Sequence, residues 1–173
     1  YYQAVFNKVT EAASLYGFNR LETPILENYN LFKKVMKNDD LNEIYSLPLD
    51  KTEKAGLRPN LLHGVLRAYI EQGFEEMSKP VKIFSVGPVF RQEKPQSGHY
   101  RQFNQFCFSM FGEDKPMAEA FMILMIYNIF RELQIDVRIE INSLGSLECQ
   151  KEYLSKFVKF YKERAKKAKI CTE

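Results

Sequence analysis

Two ten-residue runs, 81–90 (VKIFSVGPVF) and 102–111 (QFNQFCFSMF), are dense in aromatic and β-branched residues, and the polar stretch between them holds Pro95 and Gly98. Such residues suit a pleated, half-buried surface, so the pair predicts two strands of one hairpin. The connection, roughly 91–101, is long for a hairpin, and long hairpin loops are often functional. Period-two alternation then sorts the side chains. Phe106, Phe108 and Met110 fall on one face, the expected core side. Phe103, Gln105, Cys107 and Ser109 fall on the other face, which is more polar and is expected to lie open to a cleft. Arg91 and Glu93 share a parity at the mouth of the loop. One face thus gathers a guanidinium, a carboxylate, an aromatic ring and an amide. These groups can hold a nucleotide: a fork for phosphate, an acceptor for the adenine amino group and a ring to stack the base. The same alternation describes a plain hairpin with a solvated face, and a lone Arg-x-Glu does not separate the two readings.

The flanking sequence predicts helices and short strands. Apolar residues at Tyr2, Val5, Phe6, Val9, Ala12, Ala13 and Tyr16 mark an amphipathic helix stopped by Gly17. A short strand over 19–24, a helix over 28–37, a strand over 43–48 and a polar turn over 50–55 follow. Residues 61–72 have helical spacing and end at Gly73. Residues 117–133 are apolar nearly all round, which predicts a deeply buried helix. Over 136–142, Val137, Ile139 and Ile141 alternate with Arg138, Glu140 and Asn142, as in a half-buried strand. From 146 to about 169 the chain reads as a helix that becomes basic. There Lys159, Lys162, Arg164, Lys166, Lys167 and Lys169 stand against Glu163. That run reads as a solvated helix end, with a nucleic-acid phosphate contact as the alternative. Runs of strands with helices to one side predict an α+β domain on an antiparallel sheet.

Composition sets outer limits. A chain of 173 residues with 45% hydrophobic residues suits one domain, or most of one, with a sizeable core. Twenty-five basic against 22 acidic residues, net +3, permits a polyanionic partner without requiring one. Cys107, Cys149 and Cys171 are too scattered for a disulfide framework or a CxxC metal site, so a reduced, cytosolic setting is the simpler expectation. The apolar stretch 121–130 is broken by Asn128 and too short to span a bilayer, so no membrane role is expected. There is no basic-then-apolar leader, and the absence of an initial Met suggests a trimmed N-terminus. His63 and His99 are far apart in sequence and suggest neither a metal pair nor a nucleophile's base.

Four segments in order carry a family resemblance. VGPVFRQEKPQSGHYRQFNQF resembles motif 2 of class II aminoacyl-tRNA synthetases in its histidyl form, where a phenylalanine-arginine-x-glutamate step leads into a PQxG loop and returns through RxFxQ. LRPNLLHGVLRAY resembles the histidyl family's RPEGTAGVVRAY segment, and EINSLG a strand-to-turn signature of that family. YGFNRLETPILE resembles motif 1, whose proline is then Pro24. The likeness runs to about residue 155. It divides the chain into 1–145, the N-terminal part of a class II catalytic domain with motifs 1 and 2, and 146–173, a basic helical segment leading towards an absent insertion or the rest of the domain.

The resemblance implies an aminoacyl-tRNA ligase. Histidine carboxylate would attack ATP to give an adenylate and pyrophosphate, normally with Mg²⁺, and the histidyl group would pass to tRNA(His). Arg91 would hold the α-phosphate of ATP and the amino acid's carboxylate. Glu93 would accept from the adenine amino group and Phe103 would stack on the base, ordinary packing being the plainer role for that ring. Gln105 would lie in the amino-acid pocket, and Gln96 would meet the acceptor end of the tRNA. Pro24 would sit near a homodimer interface.

The sequence also departs from the family pattern. Asn60 stands where the family has the glutamate that receives the substrate's ammonium, Leu62 where it has threonine, and Ser109 where it has a second pocket glutamate. His99 replaces the loop arginine near the γ-phosphate. Losing a charged partner costs about 1–3 kcal/mol or more per hydrogen bond. The ATP side is therefore better retained than the amino-acid side. The sequence stops at Glu173, before motif 3 and any anticodon-binding domain, so the chain alone is expected to be inactive. Two readings follow: part of a histidine–tRNA ligase with an altered pocket, or a non-catalytic relative used for binding, regulation or dimerisation.

Overall fold

In the computed structural model the described residues are 1–36, 38–94, 96–142 and 145–168. They form two compact units, Tyr1–Asp136 and Val137–Glu173.

In the first unit, helix α1 (Tyr2–Leu15) buries Val9, Ala12 and Ala13, and Gly17, at φ 77°, turns the chain out of it. Only glycine takes that left-handed conformation without strain. Strand β1 (Asn19–Arg20) pairs in parallel with β5 (Val81–Phe90). The expected strand over 19–24 is therefore shorter. Leu21 still donates to the Phe84 carbonyl at 2.8 Å. The next carbonyls, of Thr23 and Pro24, turn instead to the Arg58 side chain, and Pro24 has no N–H to offer a ladder.

A second sheet holds β2 (Leu26–Asn28), β3 (Ser46–Pro48) and β4 (Lys54–Leu57) in the order β2-β4-β3, antiparallel throughout. β2 and β4 were not expected. Asp50 accepts from the backbone N–H groups of Thr52 and Glu53 at 2.6 and 2.7 Å, so the polar turn closes early and Lys54 already lies in β4. Gly56 in β4 lets the fully buried ring of Phe32 lie on the strand, since a Cβ there would meet it at 2.9 Å. Phe32 belongs to α2 (Tyr29–Val35), capped by the Asn28 side chain, which accepts from Asn30 N–H at 2.9 Å. A single turn, α3 (Asn38–Leu41), follows. Residue 37, where the helix was expected to end, lies outside the described residues.

Helix α4 (Leu62–Glu71) ends just before Gly73, at φ 66°. β5 and β6 (Gln102–Phe111) form the long hairpin in unbroken register, from Val81 opposite Phe111 to Phe90 opposite Gln102. The sheet order is β1-β5-β6. One face of the hairpin carries Phe84, Val86, Phe106, Phe108 and Met110 into a core with α1, Phe18 and Met125 and Ile129 of α5 (Pro116–Glu132). The other face places Val81 and Ile83 against Val65 of α4, with Tyr69 and Phe111 packed beside them. That face was expected to lie open to a cleft, but α4 covers its far end and leaves Ser109 buried. The deeply buried helix expected at 117–133 is also corrected. Met125 and Ile129 are buried, whereas Met117, Leu124 and Ile126 are exposed, because only one side of α5 meets the core.

The second unit contains α6 (Leu147–Ala168). Tyr153, Phe157 and Tyr161 stack in sequence along it, with ring centres 5.8 and 6.4 Å apart. The strand expected over 136–142 does not form, and among the described residues no strand pairs with it. Alternation gives a segment two faces, but a ladder needs a neighbour. Residues 143, 144 and 169, from the quoted EINSLG and basic run, lie outside the described residues.

Candidate active site

The site rests on a buried charged support. Arg58, 6% exposed, donates through Nε to the Pro88 carbonyl at 2.9 Å and through a terminal nitrogen to the Thr23 carbonyl at 2.7 Å. Its own backbone is bonded on both sides, from its N–H to Ile25 and to its carbonyl from Phe90 N–H. One residue thus ties β5, the end of β4 and the segment after β1. Gly87 makes room for it, since a Cβ at that position would lie 2.5 Å from the guanidinium. Burial pushes Arg58 down from its usual pKa, while Glu27 and Glu22 oppose the shift. Glu27, also buried, takes a paired contact from Arg67 of α4 at 2.9 and 3.1 Å. Hydrogen bonding to Glu27 raises the Arg67 pKa, and Arg67 also bonds Glu71.

On this support the loop end of the hairpin meets the segment 59–61. Arg91 N–H donates to the Arg101 carbonyl at 2.9 Å, carrying the ladder one step past the strands. Arg91 Nε donates to the Pro59 carbonyl at 3.0 Å, and its guanidinium carbon stands 5.2 Å from the centre of the Phe103 ring. Gln105 Oε1 accepts from Leu61 N–H at 2.9 Å. Phe103 lies outside the core that holds Phe106, so alternation sorted the two faces correctly here.

The polar groups beyond them form a connected set. One Glu93 oxygen lies 2.8 Å from His99 Nδ1, and the other lies 3.7 Å from an Arg91 nitrogen. Arg101 Nε donates to the Glu93 carbonyl at 3.2 Å. Gln96 and His99 close the loop through a backbone bond of 2.9 Å, with Gly98 at φ 81° between them. Asn60 Oδ1 accepts from His63 N–H at 3.3 Å, capping α4. Leu62, the first residue of α4, is 42% exposed.

The structure therefore brings Asn60, Arg91, Glu93, His99, Phe103 and Gln105 together around 59–61, with Gln96 on the exposed loop. Ser109 lies on the same face of β6 as Gln105, four residues further along, about 13 Å; it is buried, and its hydroxyl is 3.7 Å from the Cys107 thiol. Burial pushes that thiol's pKa up, with Ser109 opposing weakly. Pro24 is exposed and distant in role, its carbonyl accepting from Arg58 at 3.4 Å. Sequence reasoning did not single out Arg58, Glu27 or Arg67, and took up His63 only to set aside a metal or base role. His63 is buried edge-on to Phe32, with Nδ1 unpartnered, and burial lowers its pKa. An arginine amid the buried apolar positions of 58–67 was the available signal for the support.

A long antiparallel hairpin offering an arginine, a carboxylate and an aromatic ring on one face, with core helices behind the other, is the catalytic-core arrangement of a class II aminoacyl-tRNA synthetase. A family model described as histidyl-tRNA synthetase matches residues 1–148, and the chain belongs to that family. It is 34% identical over 177 residues to a histidine–tRNA ligase of Dehalococcoides mccartyi, covering 100% of this chain and 42% of that protein. It is 38% identical over 168 residues to that of Sulfurimonas denitrificans, covering 95% and 41%. The solved apo histidyl-tRNA synthetase of S. aureus superimposes with a TM-score of 0.74 at 26% identity, over 99% of this chain and 40% of that one. A Bacillus halodurans protein, titled an ATP phosphoribosyltransferase regulatory subunit/histidyl-tRNA synthetase, shares the fold at TM-score 0.67 and 18% identity, over 78% and 34% of the two chains. The chain thus spans about two fifths of the length of the curated relatives it matches.

Proposed function

We propose that the chain is the motif 1 and motif 2 part, over 1–145, of a histidine–tRNA ligase, with 146–173 leading into the rest of the polypeptide. The contact of Arg91 with both Pro59 and the Phe103 ring, beside Gln105, carries this reading. An adenine could enter between base-stacking Phe103 and the carboxylate of Glu93. Arg91 would meet the α-phosphate as the histidine carboxylate attacks it and pyrophosphate leaves. A guanidinium already fixed stabilises the charge that develops there, so it lowers the barrier more than it tightens the ground state. His99 would lie towards the outer phosphates, and Gln96 would meet the acceptor end of tRNA(His). Asn60, Leu62 and Gln105 would border the amino acid, and buried Ser109 would lie at its floor.

The family also implies Mg²⁺. Among the described residues no group of three or more His, Cys, Asp or Glu could hold a metal. Mg²⁺ is usually held by one or two carboxylates and by substrate phosphates, so it would come to this site with ATP. Exposed Pro24, Ile25 and Leu26 support a homodimer contact near motif 1. Among the described residues no helix is long and apolar enough to cross a membrane.

The non-catalytic alternative keeps one specific support: Asn60, where the family has a carboxylate, spends its oxygen capping α4. Exchange of labelled pyrophosphate into ATP by the complete polypeptide separates the two. The ligase reading expects exchange that depends on added histidine. No exchange with any amino acid would favour the alternative.

A further inference from the structure

We infer that Arg58 is a positioning residue for Arg91: its buried guanidinium holds the segment 58–61 so that the Pro59 carbonyl aims the Arg91 side chain. The inference rests on the reading of Arg91 as the group that meets the phosphate. Strand β1 pairs with β5 at Ile83 and Phe84. Further along β5, Arg58 takes up two backbone groups. Its Nε donates to the Pro88 carbonyl at 2.9 Å, and its own carbonyl accepts from Phe90 N–H at 3.0 Å. One residue on, the Pro59 carbonyl accepts from Arg91 Nε at 3.0 Å, and Leu61 N–H then donates to Gln105. Successive contacts thus lay the segment against the hairpin. Arg58 also ties it to the chain after β1, through the Thr23 carbonyl at 2.7 Å.

This arrangement needs a guanidinium in particular. Two nitrogens of one planar group serve carbonyls on different segments, at Pro88 and Thr23, whereas a lysine ammonium is a single point on a flexible stem. Burying an ion is costly, and an apolar side chain of similar size often serves stability as well or better. Packing alone therefore gives little reason for a charge at 58, where the residue is 6% exposed. Gly87 fits the same reading. A Cβ there would lie 2.5 Å from a terminal nitrogen of Arg58, so the missing side chain leaves the guanidinium its place. A catalytic group moved by about 1 Å can lose on the order of 10²-fold in rate, so an anchor of this kind bears on turnover.

Two variants of the complete polypeptide test this. The readouts are histidine-dependent pyrophosphate exchange and hydrogen exchange at the Arg91 Nε–H, whose NMR signal is assigned by its loss in Arg91→Ala. Arg58→Lys keeps the charge and loses the fork. Gly87→Ala keeps Arg58 and forces its guanidinium to move, and it carries the test should Arg58→Lys fail to fold. Each is expected to lower turnover about 10–100-fold, with the KM for ATP within about threefold of the wild type. Each should also speed hydrogen exchange at the Arg91 Nε–H about tenfold, the worth of one hydrogen bond. Combined with Arg91→Ala, either should cost little beyond Arg91→Ala alone, since nothing is left to position. A merely structural role would add its full cost in that background. Losses that multiply in the double variants overturn the inference, as does an Arg91 Nε–H unchanged in both single variants. If the wild type shows no pyrophosphate exchange with any amino acid, the ligase reading falls and the Arg91 Nε–H alone decides the positioning. Faster exchange there in both variants upholds it, and unchanged exchange overturns it.

Discussion

Replacing Arg91 by alanine lowers histidine-dependent pyrophosphate exchange of the complete polypeptide on the order of 10²–10³-fold, the usual cost of removing one preorganised donor at a developing oxyanion. The loss should fall mainly on turnover rather than on the KM for ATP, because the interaction strengthens as charge builds on the phosphate. Lysine at 91 should rescue little. It cannot donate to the Pro59 carbonyl from a planar fork and at the same time lie against the Phe103 ring. Arg91 also retains some exposure and has its partners at the rim, so folding should be nearly unaffected. A loss of less than tenfold, or a lysine variant as active as the wild type, would remove Arg91 from the proposed chemistry.

Glu27→Ala is expected to destabilise the first unit by about 3 kcal/mol, the lower end for breaking a buried ion pair. The lower end applies because Arg67 keeps 27% of its side-chain surface exposed while Glu27 keeps 7%. Removing Glu27 leaves Arg67 with Glu71 alone and takes away the carboxylate that offsets the burial of Arg58. Removing both partners, in Glu27→Leu with Arg67→Leu, should recover part of the loss, since Arg67 is then gone with its partner and only Arg58 still lacks Glu27. Urea denaturation followed by hydrogen exchange over 54–71 reads the effect locally. A loss under about 1 kcal/mol would mean that Arg58 is held by the Thr23 and Pro88 carbonyls alone.

The sequence made the hairpin legible because its signal is local and redundant. Ten residues of alternating faces predicted β5 and β6 to the residue, and the parity of Arg91 with Phe103 and Gln105 followed from it. What stayed hidden depends on partners distant in the chain. KAGL has no β-branched residue and becomes β4 only because β2 and β3 flank it and Phe32 packs on Gly56. The stretch 136–142 has the pattern, but among the described residues no strand forms a ladder with it. Ser109 shares a face with Gln105, but α4 closes over that end, which alternation alone cannot reveal. Arg58 and Glu27 read as surface charges in sequence, since a buried charge announces itself only through what surrounds it. The amide orientation of Gln105 is likewise set by the backbone of a different segment, at Leu61.

On the proposed reading the nucleotide side of the site is intact and the amino-acid side is remade. Arg91, Glu93 and Phe103 would supply a fork, an acceptor and a ring, whereas Asn60 and Ser109 stand where the family resemblance implies carboxylates. Calorimetric titration of the complete polypeptide with ATP and, separately, with histidine measures this directly. ATP should bind at least about tenfold more tightly than histidine, as expected when at least one charged hydrogen bond to the amino acid is missing. Histidine binding as tight as ATP, or tighter, would contradict the claim.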